Sequence, residues 1–350
     1  MRSLALPPPL PRGKNPDDAI RSTDGDASLA RLSAVRKGYL QDPYVTSLVP
    51  SAHLKPSLSP QMNLGTYVRS TAIDALVDDW LRLTESTGQQ CQIVSLGAGS
   101  DTRFWRLATG DLKHTLAKYI ELDFKEITTA KAGLICKNQE LTRIIGEMAS
   151  DQENGTVLSS VYNLLPCDLR TPPSESLAPL LASAATAPLL SPALPTLLLF
   201  ECVLVYMAPA ASSSLIKWFV DYLDPPSALG AVVYEMFGLD DAFGRMMLSN
   251  LKKRNLHLPG AYPTLESLSA RFTALDFTHA GAARLPNIRN SCVPRAELER
   301  IVKLEMLDEL EELDLTLNHY AITWAAKVPV GGNEAWGEWR LRAAGDSEGT

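Results

Sequence analysis

The chain has 350 residues, of which 45 % are hydrophobic and 21 % are charged, which is typical of a soluble protein with one large α/β domain. Its formal net charge of −7 argues against binding to the phosphate backbone of a nucleic acid, so we predict that nucleic acid is not a partner. The compact basic run at 251–254 is interpreted as a solvated helix end. No run of about 18 apolar residues occurs, so no membrane span is predicted. The five cysteines and five histidines lack metal-ligand spacing, which indicates no metal site and a reducing, cytoplasmic location.

The chain begins with a segment rich in Pro, Asp, Ser and Gly, and we predict that residues 1–25 form a disordered arm. Residues 26–330 are predicted to form a single domain. Within it, two helical patterns separated by prolines form a lid over 26–88, and an α/β core follows over 89–330. Residues 331–350 are predicted to be a mobile tail.

Strand and helix patterns alternate through the core. This alternation predicts a doubly wound, Rossmann-like sheet of mainly parallel strands, with a ligand at the carboxyl ends of the strands. The most apolar pattern, 196–207, is expected to be a central strand. Seven strands are predicted, over or near 91–96, 118–124, 161–169, 196–207, 231–237, 277 and 319–327.

The first core strand runs into the sequence GAGSDT, with glycines at Gly97 and Gly99. A strand that turns on glycine into a helix is typical of nucleotide-binding sites. The third glycine of the dinucleotide fingerprint is replaced by Thr102, whose branched side chain would crowd a pyrophosphate, and Asp101 would repel one. We therefore predict a ligand without phosphate, and S-adenosyl-L-methionine is such a ligand.

Carboxylates stand at or near the ends of three predicted strands. Asp123 ends the second strand and is expected to accept hydrogen bonds from ribose hydroxyls, with Glu121 on the same strand face as its rival. Asp168 follows the third strand, where it could accept the adenine amino group or cap a turn. Glu201 interrupts the most apolar strand, and a carboxylate there needs a cationic cofactor or an arginine as partner.

Taken together, the sequence blocks resemble the leucine carboxyl methyltransferases, which methylate the C-terminal leucine carboxylate of the protein phosphatase 2A catalytic subunit. The resemblance spans roughly residues 26 to 327 and rests on the order of the blocks rather than on any one of them. It implies a class I S-adenosylmethionine-dependent methyltransferase fold with an N-terminal helical lid. The blocks include DASLARLSAVRKGYLQDPY, YVR, QIVSLGAGSDTRFWRL, YIELDF, CDL, LPTLLLFECVLVYM and YEMFGLDDAFGRMMLSNLKKR.

The resemblance also implies roles for individual residues. Arg69 would pair with the cofactor's carboxylate, and Glu201 would lie near its amino group. Arg31 stands where the family usually has a lysine, and Arg and Lys are not equivalent at a shaped site. The remaining cofactor-binding residues would be Gly97 and Gly99 beneath the cofactor, Asp123 at the ribose, and Asp168 and Leu169 around the adenine.

The expected reaction is methyl transfer to the α-carboxylate of a C-terminal leucine. That carboxylate is already ionised at neutral pH, so catalysis would be positioning and no residue is assigned as an acid or base. Tyr206 and Met207 are candidate walls of the leucine pocket. Two alternatives are a carboxyl methyltransferase of the tRNA wybutosine type, against which the acidic charge and lack of visible repeats count, and a non-catalytic phosphatase-binding scaffold.

Overall fold

The computed structural model describes residues 16–49, 57–182, 188–223, 227–307, 310–329 and 334–345. Its strands form one sheet in the order β3-β4-β5-β2-β1-β6-β7-β9-β8. The strands are β1 (Cys91–Leu96), β2 (Leu116–Asp123), β3 (Met148–Asp151), β4 (Thr156–Ser159), β5 (Tyr162–Pro166), β6 (Thr196–Glu201), β7 (Leu229–Met236), β8 (His279–Arg284) and β9 (Tyr320–Lys327).

Five neighbouring strands, from β5 through β2, β1 and β6 to β7, are parallel, and β9 and β8 continue the sheet in antiparallel pairing. The predicted Rossmann-like α/β fold is therefore confirmed. The predicted count of seven strands is wrong, because the antiparallel hairpin of β3 and β4 extends the edge beside β5. Both hairpin strands are short and largely exposed, so they lack the apolar pattern by which the other strands were predicted.

Helices cover both faces of the sheet and one of its edges. They are α1 (Pro16–Arg36), α2 (Val45–Leu48), α3 (Pro60–Ser86), α4 (Arg103–Ala108), α5 (Lys125–Lys137), α6 (Gln139–Ile145), α7 (Leu177–Leu181), α8 (Pro209–Tyr222), α9 (Ala242–Lys253), α10 (Leu265–Thr273), α11 (Leu285–Ser291), α12 (Arg295–Ile301) and α13 (Leu310–Leu317). In the part of the chain that the structure describes, none of these helices combines the length and apolarity needed to cross a bilayer.

The longest helix, α3, buries a stripe of side chains with a spacing of four residues. Leu64, Val68, Ala72, Leu76 and Trp80 are each less than 5 % exposed, so this face packs against the core. The side chain of Ser59 accepts a hydrogen bond from the third residue of the helix and fixes its start. This burial anchors the predicted lid helix to the sheet.

The predicted arm 1–25 and the structure differ in their boundary, because α1 begins at Pro16. Asp17 and Asp18 in the first turn favour a helix start through the helix dipole. Asp17 also pairs with Arg170 at 2.6 Å, so the beginning of α1 is held against the core. The prediction of disorder is therefore wrong for 16–25, whereas 1–15 lie outside the described residues.

The predicted mobile tail is also wrong where the structure describes it. A 3₁₀ turn at Glu334–Glu338 brings Trp336 and Trp339 against Trp80 of α3, and both tail indoles are buried. The Nε1 of Trp339 donates a 3.0 Å hydrogen bond to the carbonyl of Leu76. Burial of the two indoles favours this ordered position of the segment. The predicted tail residues 331–333 and 346–350 lie outside the described part of the chain.

The apolar pattern 196–207 is longer than the strand that the structure shows there. Strand β6 is central, as expected, but it ends at Glu201. Cys202 has a positive φ of 56°, which turns the chain, and a 3₁₀ turn follows at Leu204–Tyr206. Leu204 and Val205 are buried in that turn, so hydrophobicity continues although the strand has ended.

Candidate functional site

A cavity of about 430 Å³ opens at the carboxyl ends of β1, β2 and β6. Helices α1 and α3 form part of its wall, together with the end of α9 and with α13. The cavity is large enough for a nucleoside with an amino-acid chain. Every site residue that the sequence predicted contributes to its lining: Arg31, Arg69, Gly97, Gly99, Asp123, Asp168, Leu169, Glu201, Tyr206 and Met207.

The glycine turn after β1 needs glycine for two reasons. Gly97 and Gly99 have φ values of 69° and 50°, which side chains disfavour. A Cβ on Gly97 would lie 2.4 Å from a methyl carbon of Val203, so this position also has no room for a side chain. The Gly97 N–H donates to the carbonyl of Leu122 at 2.7 Å, which fixes the turn against β2.

The acid at the end of β2 is held in the turn by backbone groups. The carboxylate of Asp123 accepts hydrogen bonds from the N–H groups of Gly99 and Phe124, each at 2.7 Å. Burial raises the pKa of Asp123 to about 6, although these two hydrogen bonds favour the charged form. Asp123 is therefore positioned at the cavity wall, and burial raises its pKa towards the neutral range.

The rival acid, Glu121, does not reach the cavity lining. Its side chain is fully buried and lies 2.6 Å from the Nζ of Lys131, and it accepts a 2.7 Å hydrogen bond from the hydroxyl of Tyr162. Burial raises the pKa of Glu121 to about 7 against the opposing effect of Lys131. Of the two alternatives that the sequence left open, only Asp123 faces the cavity.

Glu201 has arginine partners, as its place in an apolar strand requires. Its Oε1 lies 2.9 Å from an Nη1 of Arg103, and its Oε2 lies 3.6 Å from the Nε of Arg69. The Arg69 guanidinium also lies over the ring of Tyr234, 5.2 Å from its centroid. Burial opposes the charge of Arg69, but the Glu201 carboxylate outweighs it and raises the Arg69 pKa. The buried Nε of Arg69 makes no hydrogen bond within the described structure, and its contact with Glu201 is an ion pair without hydrogen-bond geometry.

Arg31 and Asp168 line the cavity, yet other side chains already engage their charges. The Nε of Arg31 donates to Asp42 at 2.5 Å, and its Nη1 donates to Ser70 at 3.3 Å. Asp168 accepts hydrogen bonds from the backbone and side chain of Arg170, which lower its pKa. The buried Leu169 follows directly and supplies an apolar surface. The predicted role of Asp168 at an adenine amino group therefore stays a prediction.

The sequence analysis missed several charged residues in or behind the cavity wall, among them Asp24 and Arg103. Asp24 of α1 accepts hydrogen bonds from the N–H and the hydroxyl of Ser100, at 2.6 and 2.9 Å, and so covers the glycine turn. Asp24 lies in α1, which begins at Pro16 inside the segment that was predicted to be disordered. Recognising this helix start in the sequence could have identified Asp24 as a candidate. Arg103 belongs to the quoted GAGSDTR block, and the need of Glu201 for an arginine partner could have identified it.

The other half of the cavity is apolar and aromatic. Tyr206 and Met207 lie there, and Met207 is almost fully buried. The further members of this wall are Tyr234, Met236, Leu251, Leu256 and Tyr320. Arg254, from the basic run interpreted as solvated, lines the cavity and pairs with Asp26 of α1.

The strand order and the cavity at the strand ends define the class: the chain has the fold of a class I S-adenosylmethionine-dependent methyltransferase. The leucine carboxyl methyltransferase family model matches residues 19–220, which is more than half of the chain. Leucine carboxyl methyltransferase 1 of Cryptococcus neoformans is 44 % identical over 92 % of this chain and 97 % of its own length. The protein of that name from Bos taurus is 37 % identical, over 91 % of this chain and 92 % of its own.

The chain therefore belongs to the leucine carboxyl methyltransferase family. This membership confirms the resemblance stated from the sequence, and with it S-adenosyl-L-methionine as the methyl donor. Among solved structures, the magnesium protoporphyrin IX methyltransferase of Synechocystis is 11 % identical, with a TM-score of 0.40, and covers 89 % of this chain and 97 % of its own.

Proposed function

We propose that this protein transfers a methyl group from S-adenosyl-L-methionine to the α-carboxylate of the C-terminal leucine of the protein phosphatase 2A catalytic subunit. The product would be a leucine methyl ester. The observation that carries this proposal is the division of one cavity into a half rich in charged pairs and an adjoining apolar half. A zwitterionic donor suits the first half, and a leucine side chain suits the second. The family membership supports the same reaction.

A specific observation supports the fit of the charged half to the donor: the buried Nε of Arg69 makes no hydrogen bond within the described residues. In this proposal Arg69 binds the donor's carboxylate, and Glu201 binds its ammonium group. Asp123 accepts hydrogen bonds from the ribose hydroxyls, and Gly97 lets the backbone approach the ligand closely. These contacts together orient the donor towards the apolar half.

The transfer requires no general acid or base. A C-terminal carboxylate has a reference pKa of about 3.3–3.7 and is ionised at neutral pH. S-adenosyl-L-methionine supplies a methyl group on a sulfonium sulfur, so the methyl–oxygen bond forms as the methyl–sulfur bond breaks and no proton moves. The protein's contribution is to strip water from the carboxylate and to hold the reacting atoms in line.

The apolar half would bind the leucine side chain and exclude water. Tyr206 and Met207 follow directly after the β6 turn that carries Glu201, so the acceptor pocket and the donor site share one short segment. Arg254 is the cation next to this half, and it could attract an anionic acceptor end. The apolar walls keep water away from the acceptor carboxylate. A carboxylate without its water shell is a more reactive nucleophile.

The test is a transfer assay with methyl-labelled S-adenosyl-L-methionine. The acceptors are the purified phosphatase catalytic subunit, the same subunit without its terminal leucine, and bulk tRNA. We expect base-labile label on the intact subunit alone, because an ester is cleaved by base. Label on tRNA, or label on the truncated subunit, contradicts the proposal. Binding of the subunit without any transfer would instead support a non-catalytic scaffold.

A further inference from the structure

Arg103 occupies an unusual position for an arginine. It is the first residue of α4, where the positive end of the helix dipole disfavours a cation, and its side chain is only 2 % exposed. Three carboxylates compensate for this placement. Its guanidinium lies 3.0 Å from Asp74, 2.6 Å from Asp101 and 2.9 Å from Glu201. A buried charge of this kind needs such partners.

These contacts form part of a continuous chain of alternating charges that ends in the cavity. The chain holds four arginines and four carboxylates, so its formal charges cancel. Its last contact, between Arg69 and Glu201, is 3.6 Å long and is not a hydrogen bond. Within this chain of charges only the contact between Arg106 and Asp42, at 3.9 Å, is longer. In order, the chain runs Arg31, Asp42, Arg106, Asp74, Arg103, Glu201 and Arg69, with Asp101 attached to Arg103.

The gap at the end of the chain follows from how Glu201 is held. Arg103 binds Oε1 of Glu201, and this contact directs the carboxylate away from Arg69. Without Arg103, Glu201 would be free to close onto Arg69 and turn this 3.6 Å contact into a hydrogen-bonded ion pair. A ligand would then have to break that pair before its carboxylate and its ammonium group could bind.

We propose that Arg103 is a positioning residue for the donor's amino-acid end. It holds Glu201 and Arg69 apart, so that one binds the ligand's ammonium group and the other its carboxylate. Arg103 itself lies behind Glu201 and is absent from the cavity lining. The inference rests on the proposed function only through the methyl donor, and it is independent of the acceptor.

The test compares two ligands by calorimetry, S-adenosylhomocysteine and 5′-deoxy-5′-methylthioadenosine. The second ligand has the same nucleoside but lacks the ammonium and carboxylate groups. For Arg103→Gln we expect S-adenosylhomocysteine to bind about tenfold more weakly, and methylthioadenosine to bind as in the wild type. Arg103→Lys should recover part of the loss, because it restores the charge but not the three-way contact.

Arg106→Gln is the matched control, because Arg106 also binds Asp74, at 2.6 Å, but does not contact Glu201. It should leave the ratio of the two affinities unchanged. Partial unfolding lowers both apparent affinities by the same factor, because both ligands bind only the folded protein, and so it leaves their ratio unchanged. The ratio can therefore be measured with either Arg103 variant, as long as part of that variant is folded. An equal loss for both ligands, or no loss for either, overturns the role of Arg103.

The double variant Arg103→Gln with Glu201→Gln separates action through Glu201 from a general effect. We expect its affinity for S-adenosylhomocysteine to match that of Glu201→Gln alone, and additive losses would overturn the proposal. The transfer assay is a separate measurement. Tight ligand binding without methyl transfer would refute the proposed function and leave the Arg103 inference standing, whereas wild-type protein that binds neither ligand would refute both.

Discussion

At the ends of β1, β2 and β6, the cavity wall consists of backbone turns and paired charges, whereas beyond Glu201 it consists of apolar and aromatic side chains. The first half depends on positive φ angles and short hydrogen bonds, and a small change in geometry is costly there. The second half depends on burial, which tolerates changes of similar volume. The comparison indicates that the donor half accepts one ligand geometry, whereas the acceptor half requires only that the ligand be apolar and of suitable shape.

The largest effect is expected for Gly97→Ala. The left-handed backbone costs a side chain roughly 1–2 kcal/mol. The contact with Val203 adds roughly 1–3 kcal/mol of overpacking. Both the melting temperature and the affinity for S-adenosylhomocysteine should fall sharply. Gly133→Ala in α5 is the matched control, since nothing lies near its added Cβ, and it should be neutral or slightly stabilising. An unchanged melting curve for Gly97→Ala would show that the donor half tolerates a change in backbone geometry and is not rigid.

Arg69→Ala should weaken cofactor binding at least tenfold, or about 1.4 kcal/mol, because it removes the buried cation that we propose binds the donor's carboxylate. The KM for the acceptor, measured at saturating donor, should change little. Arg82→Ala on the exposed face of the same helix is the control and should bind the cofactor normally. Unchanged calorimetry for Arg69→Ala would refute its role.

The pH dependence of cofactor binding should report Asp123. Burial raises its pKa to about 6, and the ionised carboxylate accepts hydrogen bonds from ribose hydroxyls more strongly, and through both oxygens, than the protonated carboxyl does. The affinity for S-adenosylhomocysteine should therefore be full above pH 7 and fall about tenfold towards pH 5. Because the folded-state pKa lies above the unfolded value, protonation of Asp123 favours the fold between about pH 6 and 4, and unfolding at this group does not explain the loss. Asp123→Asn should bind weakly with a flat profile, and a persisting slope would assign the titration elsewhere.

The smallest effect is expected in the acceptor half, for Arg254→Ala. Its ion pair with Asp26 is partly exposed, so its loss should cost less than about 1 kcal/mol of stability. We expect the KM for the phosphatase subunit to rise about fivefold, with cofactor affinity unchanged. Lys252→Ala, an exposed neighbour in the same basic run, is the control. A loss of cofactor affinity in Arg254→Ala would mean that the two halves are not separable.

Local sequence signals predicted most of the parallel core. Strands β1 and β6 read as short apolar runs, and the glycines after β1 marked the turn because only glycine adopts its φ values readily. The second of the two helical patterns predicted within 26–88 is found as α3, with its cap at Ser59. The hairpin of β3 and β4 was missed because its side chains are largely exposed and carry no periodic pattern.

Other features depend on contacts between distant residues. The choice between Asp123 and Glu121 was open in the sequence, because both lie on one strand face, and it was decided by Lys131 and Tyr162 enclosing Glu121. The order of the tail depended on Trp339 reaching α3, which lies more than 250 residues earlier in the chain. No local pattern predicts such a contact.

By itself, the sequence determined the fold class and the turn at Gly97, because backbone preference and hydrophobic periodicity are local properties. It also named part of the cavity lining, including Arg31, Arg69 and Leu169, which only the family resemblance implied. The tertiary structure alone decided which charges meet. Arg103 contacts Asp74 from α3 and Glu201 from β6, and Asp24 of α1 reaches the turn after β1. These pairings are set by distances of a few ångströms between segments far apart in the chain, and burial gives them their strength.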